Sequence, residues 1–271
     1  MDKFINFYKF VVNLCLALML LGINLCVIQS DSSFHGALEN HSPLTVTVSS
    51  LLPYGFTSSL ITPEIEARIR GISYPGNCPV PLSSLRYLTV LHIGFDGQIY
   101  VGELIVHERI APSVLEIFYR LYLAGYPIEK IRLIDDYNAN DEASMTDNNT
   151  SAFCCRTIAG TDTLSLHSYG LAVDINPLYN PYVNGDRIAP ATSAYDRETG
   201  IVSSPHFMTE NDYCVRLFQM YGFTWGGEWD GVKDYQHFEY NKRTDLRQSF
   251  HHHIFPNIFF NVENPAIRES A

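Results

Sequence analysis

Two stretches of the sequence hold residue types able to do hydrolytic chemistry. "SLHSYGLAVDIN" (165–176) places His167 seven positions ahead of Asp174, and "WGGEWDGVKDYQHFEY" (225–240) places Asp234 three positions ahead of His237. Two imidazoles and a carboxylate are donor types that zinc takes in a catalytic centre, where three protein ligands leave one position open. Such a centre also needs a nearby carboxylate to take a proton from the attacking water. Asp234 and Glu239 are the two candidates beside His237. Taken alone, His167 and Asp174 also fit a hydrogen-bonded histidine next to a strand aspartate; the second stretch can supply a third ligand, His237, and a base.

These residues need particular elements to position them. Alternation along "LAVDIN" puts Leu171, Val173 and Ile175 on one face and Ala172, Asp174 and Asn176 on the other, so a strand can bury the first set and present Asp174. His167 precedes Gly170 in a loop that can fold back toward the carboxylate. Asp234 and His237 face opposite sides of a flat strand, so their cooperation requires a bend or bulge before "YQHFEY". Glu239 shares a face with His237, which makes it the rival base. Trp225 and Trp229, around Gly226-Gly227, either wall a cleft or pack in the core.

Elsewhere, "TPEIEARIRG" has a helix start at Thr62-Pro63 and a stop at Gly71. "YLTVLHIGFDGQIYVGELIVH" (87–107) is a hairpin turning at Asp96-Gly97. "APSVLEIFYRLYLAGYPI" is an amphipathic helix ending at Gly125 and Pro127. "IRLID" is a short strand, 138–150 a loop, "TENDYCVRLFQMYGF" a helix and "YQHFEY" a last strand. Without regular β-α-β alternation, these elements predict an α+β fold on a mostly antiparallel sheet flanked by helices.

The 271 residues are 46% hydrophobic and 17% charged, a globular composition, with a net charge of −11 and no basic cluster, which argues against a nucleic-acid partner. Lys3 and Lys9 lead the apolar run Leu14–Ile23, a pattern expected of a signal peptide, cleaved near Asp31, or of a membrane anchor. The expected location is therefore outside the cytoplasm, in the periplasm or cell envelope, with membrane contact only through this segment if it stays uncleaved. Beyond it lie Cys78, Cys154, Cys155 and Cys214, an even number that permits disulfides without fixing their pairing. The expected organisation is the N-terminal segment 1–30, a linker with an N-terminal helical segment 31–84, a catalytic domain 85–250 and a tail 251–271.

The stretches "SMTDNNTSAFCCR", "LSLHSYGLAVDINPLYNPYV" and "WGGEWDGVKDYQHFEY" resemble the M15 family of zinc D-Ala-D-Ala carboxypeptidases and related murein peptidases. The likeness is greatest to the VanY-like and L-alanyl-D-glutamate endopeptidase branch and spans roughly Tyr87 to Tyr240. Ser165, His167, Gly170, Ala172 and Asp174 match the family's S-x-H-x-x-G-x-A-x-D, and Asp234 with His237 match its acidic residue ahead of a final histidine. The resemblance implies His167, Asp174 and His237 as zinc ligands and Asp234 as general base, where many members carry Glu and the endopeptidase branch Asp. It implies that Arg156 holds the substrate carbonyl or the developing oxyanion, and that the substrates are peptidoglycan stem peptides. Ser165, Trp225 and Trp229 are expected to border the substrate, in a Hedgehog/DD-peptidase-like fold. Where similar sequences read "FNCR" this one has "FCCR". His92 and His107 are expected to be structural, His251–His253 an exposed tail turn, and Ser165 no nucleophile. A non-catalytic wall-binding module that keeps the zinc is the alternative from another class; a membrane-tethered scaffold rests on the N-terminal segment alone.

Overall fold

The computed structural model describes residues 55–158 and 160–240. The apolar N-terminal segment and the His251–His253 run lie outside the described residues, and among those described no helix is long and apolar enough to cross a membrane.

The chain enters through β1 (Thr57–Leu60) and α1 (Pro63–Ile69). Thr62 caps α1 by accepting from the Ile65 N–H at 3.4 Å, and Pro63 occupies a first-turn position that needs no donor. β2 (Leu85–Ile93) and β3 (Ile99–His107) form the expected hairpin. Asp96 accepts from the Gln98 N–H at 3.0 Å and from the Tyr100 hydroxyl at 2.7 Å, and Gly97 supplies the positive φ of +76° that the turn requires. α2 (Ala111–Leu123) buries Val114, Ile117, Phe118 and Leu121, one helical stripe, against β2.

The middle of the chain is built from short pieces. β4 (Lys130–Ile131) runs parallel to β5 (Asn149–Thr150), with α3 (Asp141–Thr146) between them. There follow β6 (Ala172–Asp174), β7 (Tyr182–Asn184), β8 (Arg187–Ala189), β9 (Tyr195–Asp196) and β10 (Ile201–Val202). The chain then forms α4 (Tyr213–Met220), β11 (Phe223–Trp225), β12 (Lys233–Asp234) and β13 (His237–Tyr240). Three antiparallel three-stranded sheets result, ordered β1-β2-β3, β11-β13-β6 and β12-β7-β8.

The α+β class with antiparallel pairing matches the expectation, but the strands are divided among several small sheets. The strand expected at "IRLID" stops at Ile131 and gives way to a 3-10 turn at Ile134–Tyr137. The expected loop 138–150 holds α3, capped where the Ala143 N–H donates to Asn140 Oδ1 at 3.0 Å. Residues 55–84, expected as linker and helical segment, supply β1, which pairs with β2 from Thr57↔Thr89 to Leu60↔Arg86.

The main core joins the hairpin and α2 to the elements that carry the site. Phe218 of α4 stacks on Phe238 of β13 at 4.2 Å and meets Phe118 of α2 edge-on, while Val173 and Ile175 enter the same core. Burying each such side chain contributes about 1.5–3 kcal/mol. A smaller core gathers Ile69, Val80, Leu85, Ile105, Leu133 and Phe153. Cys78 and Cys155 form a disulfide beside it, and Cys154 and Cys214 are buried thiols.

Candidate metal centre

Strand pairing brings the two halves of the site together. β6 and β13 run antiparallel with Asp174 directly opposite His237, so both side chains leave the same face. His237 Nδ1 lies 2.9 Å from Asp174 Oδ1. His167 stands on a 3-10 turn, Leu166–Tyr169, whose cap Ser165 accepts from the His167 N–H at 3.3 Å. Gly170 ends that turn at φ +65°, and a Cβ there would sit 2.7 Å from the His107 backbone nitrogen, so only glycine lets the turn dock on β3. His167 Nε2 thereby comes 3.1 Å from Asp174 Oδ2 and 3.2 Å from His237 Nδ1. All three residues are buried, and their ligand-type atoms lie within 4.8 Å of one another.

The outward ring nitrogens are also engaged. His167 Nδ1 meets the Ala152 carbonyl at 2.5 Å, and His237 Nε2 meets Glu239 Oε2 at 3.4 Å. With a metal ion in place, both acceptors would keep the ring proton on the outer nitrogen and leave the inner nitrogens, beside Asp174, free to donate to the ion. This is the arrangement by which carbonyls and carboxylates orient metal-binding histidines. Burial opposes charge on Asp174, yet His167 and His237 outweigh it and hold the carboxyl well below the usual range. Burial also opposes charge on His237, but Asp174 and Glu239 lift its pKa to about 10. The pocket thus favours positive charge at its centre. Two imidazoles, a carboxylate and an adjoining open cleft fit zinc.

The cleft has a volume of about 430 Å³ and is bordered by the cluster together with Asp234, Arg156 and Trp229. Asp234 ends β12 and His237 begins β13, with Tyr235-Gln236 as the break between them, which is the bend their spacing requires. A Cβ on Gly226 would lie 2.6 Å from the Asp234 carbonyl and 2.9 Å from its Cβ, so that glycine makes room for the aspartate. Burial, with Asp174 and Asp141 adding negative charge against the pull of His237 and Arg156, raises the Asp234 carboxyl to about 7. The Arg156 N–H donates to Ser168 Oγ at 2.9 Å, and its Nη2 donates to Asp141 Oδ2 at 2.8 Å. Among the described residues four buried side-chain polar atoms lack a partner; Arg156 Nε, Asp234 Oδ1 and Gln236 Oε1 are three of them, and all three residues border this cleft.

Trp229 borders the cleft as expected, its ring 5.4 Å from that of His237. Trp225 does not: it is 3% exposed in the main core, where its Nε1 donates to the Tyr235 carbonyl at 2.8 Å. Ser165 borders the cleft and acts as the cap described above. His92 bonds the Ile128 carbonyl through Nδ1, and His107 Nδ1 accepts from the Arg109 N–H, both structural contacts. Burial pushes the Cys154 thiol up to about 11, an inert neighbour of the site. Asp141 went unrecognised in the sequence, although Asn140-Asp141-Glu142 is a helix-start signal. Glu239, the rival base, borders the same cleft and lies against the outer nitrogen of His237.

Residues 159–240 match the family model described as D-alanyl-D-alanine carboxypeptidase, which supports an M15-family peptidase. No curated protein and no solved structure matches the chain.

Proposed function

We propose that this M15-type peptidase is zinc-dependent and hydrolyses D-amino-acid-containing stem peptides of bacterial peptidoglycan, in the manner of a D-Ala-D-Ala carboxypeptidase on a Hedgehog/DD-peptidase-like fold. The observation that carries the reading is the His167–Asp174–His237 cluster, with both outer ring nitrogens met by oxygen acceptors. These three residues would hold the ion. When bound, zinc polarises a scissile carbonyl and lowers the pKa of water.

The remaining steps fall to the chain. Asp234 accepts the proton of the attacking water at Oδ1, the oxygen without a partner, and returns it to the leaving amine. Arg156, steadied by Asp141, offers its unpaired Nε–H to the oxygen that gains charge. Trp229 covers one side of the cluster and limits the approach of bulk water. A zinc-holding wall-binding module needs neither a carboxylate oxygen nor a guanidinium nitrogen buried without a partner beside the cluster, and both count against it. We also propose export to the periplasm or envelope, resting on the basic lead and apolar run; N-terminal sequencing of envelope material is expected to give a start near Asp31.

Mass spectrometry of purified peptidoglycan fragments, incubated with the zinc-loaded protein, tests the reaction. Loss of one terminal D-alanine marks a carboxypeptidase, and a cut between L-Ala and D-Glu marks the endopeptidase alternative, which an aspartate base favours. Unchanged fragments with a fully loaded protein refute both.

A further inference from the structure

The wall of the cleft that carries Asp234 also holds residues for which the reaction above has no use. β7 pairs with β12 on one side and β8 on the other, so Asp234, Tyr182 and Ala189 form one row across the sheet. Arg187 lies two residues before Ala189 and so faces the same side. All four residues border the cleft. The Arg187 guanidinium rests over the Tyr182 ring, 5.5 Å from its centroid. Arg156 is committed to Asp141, and neighbouring Arg197 reaches back to Gly185 and Asp186. Arg187 makes no ion pair or side-chain hydrogen bond among the described residues, so its planar fork stays free while the tyrosine limits its motion.

We propose that Arg187 is a specificity residue that binds a carboxylate on the leaving-group side of the scissile bond. The inference rests on the peptidase reading for its direction. Asp234 hands its proton to the leaving amine, so the residue carrying that amine sits beside Asp234, and therefore beside Tyr182 and Arg187. A guanidinium fork recognises a carboxylate through two parallel hydrogen bonds. Two sources present one there: the α-carboxylate of a C-terminal residue, or the carboxylate of an acidic residue following the cut.

The test uses zinc-loaded protein and paired peptides: one ending in D-Ala-D-Ala as the free acid or the amide, the other L-Ala-D-Glu or L-Ala-D-Gln. Binding is followed by calorimetry and cleavage by mass spectrometry. The parent is expected to prefer the acidic member of one pair, which identifies the source. Arg187→Gln is expected to lower kcat/KM for that member by on the order of tenfold to a hundredfold, mainly through KM, and to leave the neutral member unchanged. Arg187→Lys should recover part of the loss, with zinc content and Tm equal to the parent's. A parent indifferent to charge in both pairs, or an Arg187→Gln variant that loses acidic and neutral peptides alike, overturns the assignment. Acid-selective binding that Arg187→Gln abolishes, without any cleavage, overturns the peptidase reading alone. Cleavage without acid preference overturns Arg187 alone, and neither binding nor cleavage overturns both.

Discussion

Replacing His167, Asp174 or His237 with alanine removes one of three converging donors, and each variant is expected to lose zinc on dialysis while the parent keeps one ion, as read by elemental analysis. The two carboxylates near His237 separate by a different measurement. Asp234→Asn leaves the donors intact and cannot take a proton, so it should retain zinc and lose about 10²–10⁴-fold in rate. Glu239→Gln should weaken zinc by about tenfold, because it touches only the outer nitrogen of His237, and recover near-parent rates at saturating zinc. The reverse pattern would make Glu239 the base. Residue types and spacing made His167, Asp174, His237 and Asp234 legible in the sequence as candidates, and the fold brings them to one cleft. Asp141 and the orientation of Glu239 were not legible, because both depend on contacts with residues brought close only by folding.

At the scale of elements, the site depends on how closely one turn approaches one short strand. Gly226→Ala would drive a Cβ into the Asp234 backbone, which cannot give way like a flexible side chain. The expected result is a shifted base: zinc content unchanged and rate reduced, since a 1 Å misplacement costs about 100-fold. Full activity in Gly226→Ala would mean that Asp234 does not need its observed position. The longer elements were readable because their signals are local, as with the Thr62 cap, the Asp96-Gly97 turn and the apolar stripe of α2. β12 has two residues and β6 three, too few for alternation to define their ends. The helix α3 was hidden by its polar surroundings, which read as loop.

For the whole molecule, the Cys78–Cys155 disulfide closes a loop with a sequence separation of 77 and ties the entry segment to the strand region leading into the site. Loop-closure entropy of that size is worth about 4 kcal/mol. Cys78→Ser, or reduction of the parent, is expected to lower Tm by about 10 °C, measured by calorimetry. An unchanged Tm would show that packing alone holds residues 55–84. Acidity acts through another long-range link, Arg68 with Glu103, whose charge-paired hydrogen bond at 2.7 Å holds the Glu103 carboxyl below its usual range. A depressed carboxyl stabilises above its unfolded pKa and loses that contribution as pH falls through its folded one. The Tm gap between parent and Glu103→Gln should therefore be present at neutral pH and narrow below the ordinary Glu range. The pairing of β1 with β2 and the cysteine pairing stayed open in the sequence for one reason: both are set by partners far away in the chain.

The most direct test of the zinc-peptidase claim is a zinc titration of the chelator-stripped protein, scored by release of product from a peptidoglycan peptide. A zinc peptidase with this site gives no cleavage without metal, full activity at one zinc per chain, and no recovery in His237→Ala at the same ratio. Full activity in the metal-free protein, or equal recovery in His237→Ala, would contradict the claim.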